Sequence, residues 1–145
     1  MTGKEYLQLA NTATNKIQFW NEVFNLPLER FASDYSTGMK KKLAFIALLL
    51  QDRPIWLLDE PFNGVDFESN EKMTKIISAL GNKKTILISS HILDKLTQVS
   101  DTIYILEEGI IKHKVDKNSF SHLSSKLRKE IDTSIQNKLN TLYDN

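Results

Sequence analysis

A chain of 145 residues with a formal net charge of +1 has the length of one ordinary domain, and no charge excess points to nucleic acid or an acidic partner. It has no cysteine, which excludes disulfide staples and thiolate metal sites and fits a reducing compartment. The N-terminal stretch MTGKEYLQLANTATN lacks the marks of a secretory signal, and the longest apolar run, in Leu43–Leu50, is far shorter than the roughly 20 residues that cross a bilayer. A soluble, cytoplasmic chain is expected, still able to dock on a membrane partner.

In chain order, Ile17, Phe19, Trp20, Val23 and Phe24 recur at helical spacing, and Pro27 ends that segment. A polar stretch, Glu29–Tyr35, leads to Ser36-Thr37-Gly38, where Ser36 is placed to cap a second helix, MKKKLAFIALLLQD. After Pro54 the pattern changes to short apolar runs, Ile55–Leu58, Thr85–Ser89 and Thr102–Leu106. Their near-continuous apolarity predicts strands buried on both faces, as in a parallel sheet. Helical patterns at about Ser69–Leu80 and Ile92–Val99 alternate with them, which predicts an α/β fold. Glu107-Glu108-Gly109 marks a turn, so Ile103–Leu106 and Ile110–Val115 are expected to form a hairpin. From Phe120 onward, Leu123, Leu127, Ile131, Ile135, Leu139 and Leu142 follow a three- and four-residue spacing, an amphipathic helix suited to packing on the domain or a partner.

Three stretches carry candidate chemistry. The run IWLLDEP, Ile55–Pro61, sets two acids at the end of a buried strand, the edge where α/β proteins bind ligands. Asp59 there suits Mg²⁺, a hard cation, and Glu60 is available to polarise a water as a general base. The plainer alternative is a turn-capping Asp59 and a solvated Glu60. The second stretch is Tyr35–Met39 at a helix start, where free N–H groups and the helix dipole favour an anion and Lys40, Lys41 and Lys42 add positive potential. Taken alone, those residues read first as an ordinary serine cap beside a solvated lysine face. The third is Ser89-Ser90-His91, whose histidine either contacts phosphate or simply ends a strand.

Taken in this order and spacing, the stretches resemble the C-terminal half of an ATP-binding cassette nucleotide-binding domain. YSTGM (Tyr35–Met39) resembles the family signature, usually written LSGGQ, and departs from it at Tyr35, Thr37 and Met39; the tyrosine–methionine form is similar to that of bacterial exporter ATPases. IWLLDEP resembles the Walker B strand, FNGVD (Phe62–Asp66) the D-loop, and ISSH (Ile88–His91) the switch-histidine loop. The resemblance reaches to about Val115. It implies a partial P-loop NTPase fold, with a helical signature subdomain at 1–53 and a partial α/β core with a mostly parallel sheet at 54–116; beyond it, the apolar spacing gives 117–145 as an amphipathic helical tail.

By the same resemblance, Asp59 binds Mg²⁺ through water, Glu60 polarises the attacking water and His91 contacts the γ-phosphate of ATP. Ser36, Thr37, Gly38 and Met39 face ATP held by an opposing subunit, and Gly64 and Asp66 lie at the interface between subunits. The implied partners are a second nucleotide-binding domain and a transmembrane permease subunit, which would hold the chain at the inner face of the cell membrane. No phosphate loop GxxxxGK[ST] occurs in the chain. In the family that loop lies upstream of the signature, and its strand lies between those matching TILIS and TIYIL. The resemblance therefore implies an ATPase fragment, inactive alone, with either a gap or a non-native pairing at that place in the sheet. The alternative function is a non-catalytic helper or interaction module that completes a partner's ATP site.

Overall fold

The computed structural model describes residues 1–11, 13–123, 125, 132, 133, 135, 136, 138 and 139. The chain divides into two compact units, Met1–Val99 and Ser100–Asn145. In the first, α1 (Gly3–Gln8) and α2 (Thr14–Phe24) precede the long α3 (Thr37–Gln51); β1 (Ile55–Asp59), α4 (Phe67–Leu80), β2 (Thr85–Ser89) and α5 (Leu93–Val99) follow.

Local chemistry sets the helix ends. Thr2 and Glu5 close a capping box on α1. Ser36 caps α3 by accepting the Met39 N–H at 3.2 Å, and Asp66 caps α4 through the Ser69 N–H. Helix α3 stops at Asp52, in the left-handed conformation two residues before Pro54. Between its ends, α3 buries Leu43, Phe45, Ile46, Ala47, Leu49 and Leu50. Phe45 stands edge-on to Phe24 of α2 at 5.9 Å and to Trp56 of β1 at 6.1 Å, so one aromatic series joins α2, α3 and β1. Trp56, Phe62, Leu7, Ile46, Met73 and Ile77 are fully buried. Phe19, expected on the apolar face of α2, is 58% exposed; that face is formed by Ile17 and Phe24, while Phe19 stacks edge-on against half-buried Trp20.

Strands β1 and β2 are parallel and in register, with Leu57 opposite Leu87 and Asp59 opposite Ser89. The expectation of strands buried on both faces is corrected here. Trp56 is wholly buried, but the other face leaves Ile55, Leu57 and Leu87 exposed at 62%, 74% and 64%. Among the described residues the packing on this pair is on the Trp56 face, and an apolar strand sequence reads the same whether or not its second face is covered.

In the second unit, β3 (Thr102–Glu107) and β4 (Ile110–Asp116) form the expected antiparallel hairpin, closed through Glu108 and Gly109, both at positive φ. Among the described residues β2 pairs only with β1, and β3 only with β4. The described tail residues from Phe120 are helical; Leu127, Ile131 and Leu142 lie outside the described residues. No helix among the described residues is long and apolar enough to cross a membrane.

Candidate functional site

The parallel register of β1 and β2 brings two stretches thirty residues apart in sequence to one sheet edge. Ser89 Oγ donates to Asp59 Oδ1, and the Glu60 N–H donates to the Ser89 carbonyl at 2.9 Å. The chain turns sharply after Asp59: Glu60 has φ +46°, in the left-handed region, where a residue with a Cβ is strained. This turn sends the Glu60 side chain toward the segment after β2. Its Oε1 accepts the His91 N–H at 3.1 Å and lies 2.9 Å from His91 Nδ1, while Ser90 Oγ makes a longer approach to Oε2 at 3.4 Å. His91 is two-thirds exposed and the Glu60 side chain one-third, so the pair sits at the mouth of the edge. A carboxylate acceptor selects the tautomer with a proton on Nδ1, which turns Nε2 away from Glu60.

Asp59 is exposed at the strand end, with its Oδ1 taken by Ser89. Its oxygens match the donor chemistry of Mg²⁺. Among the described residues no three acid or histidine side chains gather into a metal cluster, so a cation at Asp59 would take its other oxygens from water and from a bound phosphate. The residues present fit such an ion as an outer carboxylate, and they fit no all-protein cage.

A second group of the expected site residues gathers at the start of α3. Ser36 and Thr37 are exposed there, with Gly38 and Met39 half-buried. Gly38 packs directly on the turn that holds Gly64: a Cβ at Gly38 would lie 2.6 Å from the Gly64 carbonyl oxygen. Gly64 itself has φ +71°, and a Cβ there would meet Thr37 Cγ2 at 3.8 Å. The close approach that the glycine permits is thus to its own chain's backbone. The Asp66 carboxylate accepts the Ser69 N–H at 2.8 Å, the Ser69 hydroxyl at 2.9 Å and Lys42 Nζ at 3.1 Å. The Ser69 N–H bond does most to hold the Asp66 carboxyl down at about 2, with Ser69 Oγ and Lys42 adding to it and partial burial opposing.

Several partners were not evident from the sequence. Asn70 Nδ2 donates to the carbonyls of Phe62 and Val65, both at 3.1 Å, bracing the turn between them from the α4 side. Lys41 Nζ donates to the Glu60 carbonyl, and Lys42 pairs with Asp66, so two of the three lysines expected on a solvated face are engaged with the chain. Tyr35 is buried, with its hydroxyl donating to the Pro27 carbonyl at 2.8 Å; a Cβ on Gly3 would collide with that hydroxyl. Burial pushes the Tyr35 phenol up, against a smaller opposing effect of the Arg30 charge. The paired serines and the glycines were signals visible in the sequence; which backbone atoms they would meet was not.

Comparison with known proteins bears on these groups. A family profile described as "AAA domain, putative AbiEii toxin, Type IV TA system" matches residues 17–96. The chain is 34% identical over 138 residues to the bacitracin transport ATP-binding protein BcrA of Enterococcus faecalis, covering 89% of this chain and 44% of that protein. It is 34% identical over 120 residues to the BcrA protein of Bacillus licheniformis, covering 80% of this chain and 38% of that one. A solved structure, "ATP binding subunit of ABC transporter", superposes with a TM-score of 0.72 at 26% identity, over 82% of this chain and 54% of the other. The chain spans under half the length of the curated relatives it matches.

Proposed function

The chain belongs to the ATP-binding cassette family of nucleotide-binding domains, and on that premise we propose that it supplies the hydrolytic edge and the signature face of an ATPase that drives export. The observation that carries this reading is the convergence of Glu60 and His91, 2.9 Å apart, beside Asp59 at the end of parallel strands. Glu60 is the general base that orients and polarises the attacking water, and His91 keeps that carboxylate in place through its main-chain N–H while its single ring N–H turns to the γ-phosphate. Asp59 would hold Mg²⁺ through water, and the ion would supply positive charge against the phosphate oxygens. Phosphoryl transfer asks mainly for positioning and charge stabilisation, which is what these side chains offer.

Ser36, Thr37, Gly38 and Met39 cap the nucleotide of a second subunit, with Gly64 and Asp66 at the shared interface. Residues 1–53 act as the signature subdomain, 54–116 as the partial core and 117–145 as a C-terminal tail. The chain contains no phosphate loop, whose lysine and backbone N–H groups supply most of the hold on the β- and γ-phosphates. That cradle comes from a further segment, in the same polypeptide or a partner, and a permease subunit places the assembly on the membrane. The YSTGM signature and the bacitracin transport proteins among the relatives favour export.

A mixed-subunit experiment tests the arrangement. With the cradle supplied, Glu60→Gln and Ser36→Arg subunits each form assemblies without turnover. Mixing them places both lesions in one site and leaves the other intact, so turnover is expected to recover to roughly a quarter of wild type, since half of random dimers are mixed and each keeps one of two sites. Mixtures as inactive as the single variants would remove Ser36 from the opposing subunit's site.

A further inference from the structure

Helix α3 starts at the signature turn and, five residues after its cap, carries Lys41 to the back of the hydrolytic edge. The Lys41 ammonium is half-buried and donates to the main-chain carbonyl of Glu60. Lys42, Lys72, Lys84 and Lys95 each pair with a carboxylate, whereas among the described residues Lys41 has no carboxylate partner. Its charge is directed at one peptide group. That same carbonyl accepts the Asn63 N–H at 3.3 Å, and the Glu60 N–H donates to the Ser89 carbonyl at 2.9 Å. The Glu60 backbone is therefore held from three sides: by α3, by its own turn and by the end of β2.

Such a hold has a purpose at this residue. Glu60 sits at φ +46°, a conformation that strains a residue with a side chain and persists only where its surroundings impose it. Relaxation to an ordinary negative φ would swing the Cβ and take the carboxylate off the His91 N–H and ring. We infer that Lys41 is a positioning residue for the proposed ATPase reaction: through the Glu60 carbonyl it fixes the left-handed turn that aims the Glu60 carboxylate. This rests on the reading of Glu60 as general base. It also gives α3 a second duty, because the helix that presents Ser36 outward holds Glu60 of the same chain from behind.

Two measurements decide it. In the 145-residue chain, amide hydrogen exchange at Glu60 and Asn63 is expected to quicken about tenfold in Lys41→Met, with the Ile46 and Trp56 amides unchanged. Unaltered exchange at Glu60 and Asn63 would overturn the inference. In the assembly with its phosphate cradle, Lys41→Met is expected to lower kcat by about ten- to a hundredfold, the scale of a misplacement near 1 Å, with KM for ATP within about twofold. Lys41→Arg restores kcat, and Lys75→Met, an exposed charge change on α4, matches wild type. A kcat unchanged in Lys41→Met, or a loss that Arg does not restore, contradicts the inference. Absence of turnover in the wild-type assembly overturns the ATPase reading instead, and the exchange rates then still decide whether Lys41 sets the Glu60 turn.

Discussion

At Asp66 one carboxylate caps a helix and meets a lysine, and the two roles can be separated. Its folded value near 2, against an ordinary 3.8, means the fold binds the ionised form more tightly. The stability it contributes is full above about pH 4 and is lost as pH falls through about 2. Asp66→Asn keeps a capping oxygen, so a small loss at pH 7 is expected, together with a flatter melting-temperature profile between pH 4 and 2. Asp66→Ala removes the cap and is expected to cost about 1 kcal/mol at pH 7 in urea unfolding. The Lys42 pair adds little to that figure, since the Asp66 side chain is 54% exposed. Tyr35→Phe removes the bond to the Pro27 carbonyl and is expected to cost a further measure of similar size, about 1 kcal/mol, with the ring's packing kept.

On the scale of elements, the start of α3 lies close against the turn that holds Gly64. A methyl group at Gly38 would meet the Gly64 carbonyl at 2.6 Å, and that obstacle is backbone with no rotamer to yield. Gly38→Ala is expected to destabilise the chain by about 1–3 kcal/mol and to perturb the Gly64 and Asp66 amides in NMR spectra. A spectrum unchanged there, with full stability, would show that α3 and the turn are not in contact. This contact also marks how far the sequence could be read. The strand-acid and strand-histidine stretches were legible because each is contiguous and ends where an apolar run ends. The hairpin was legible from Glu107-Glu108-Gly109, and the caps from Ser36. Gly38 against Gly64 and Lys41 against Glu60 were not, because each depends on how α3 approaches a segment about twenty residues further on. Residue type alone suggested a phosphate for the glycine and solvent for the lysine.

For the whole molecule, the exposed face of β1 and β2 is the feature with the largest consequence. Ile55, Leu57 and Leu87 form an apolar patch on a sheet of two strands, and such faces and edges recruit other chains. The 145-residue chain is expected to associate with rising concentration in sedimentation velocity, and Leu57→Lys with Leu87→Lys to shift it toward the smallest species. A monodisperse wild-type monomer with a sharp, reversible thermal transition would contradict this. The sequence had placed these residues inside, because it records their hydrophobicity and leaves out what lies above them.

The C-terminal ends of the same two strands bring Asp59, Glu60 and His91 together, so the function of the molecule turns on whether Glu60 activates water. ATP turnover of the chain joined to a segment bearing a phosphate loop, compared between wild type and Glu60→Gln, tests this most directly. The amide keeps the size of the side chain and removes the base. The expected result is a fall in kcat of at least about a hundredfold, with ATP still bound. Turnover at the wild-type rate in Glu60→Gln would contradict the assignment of this edge as the hydrolytic centre.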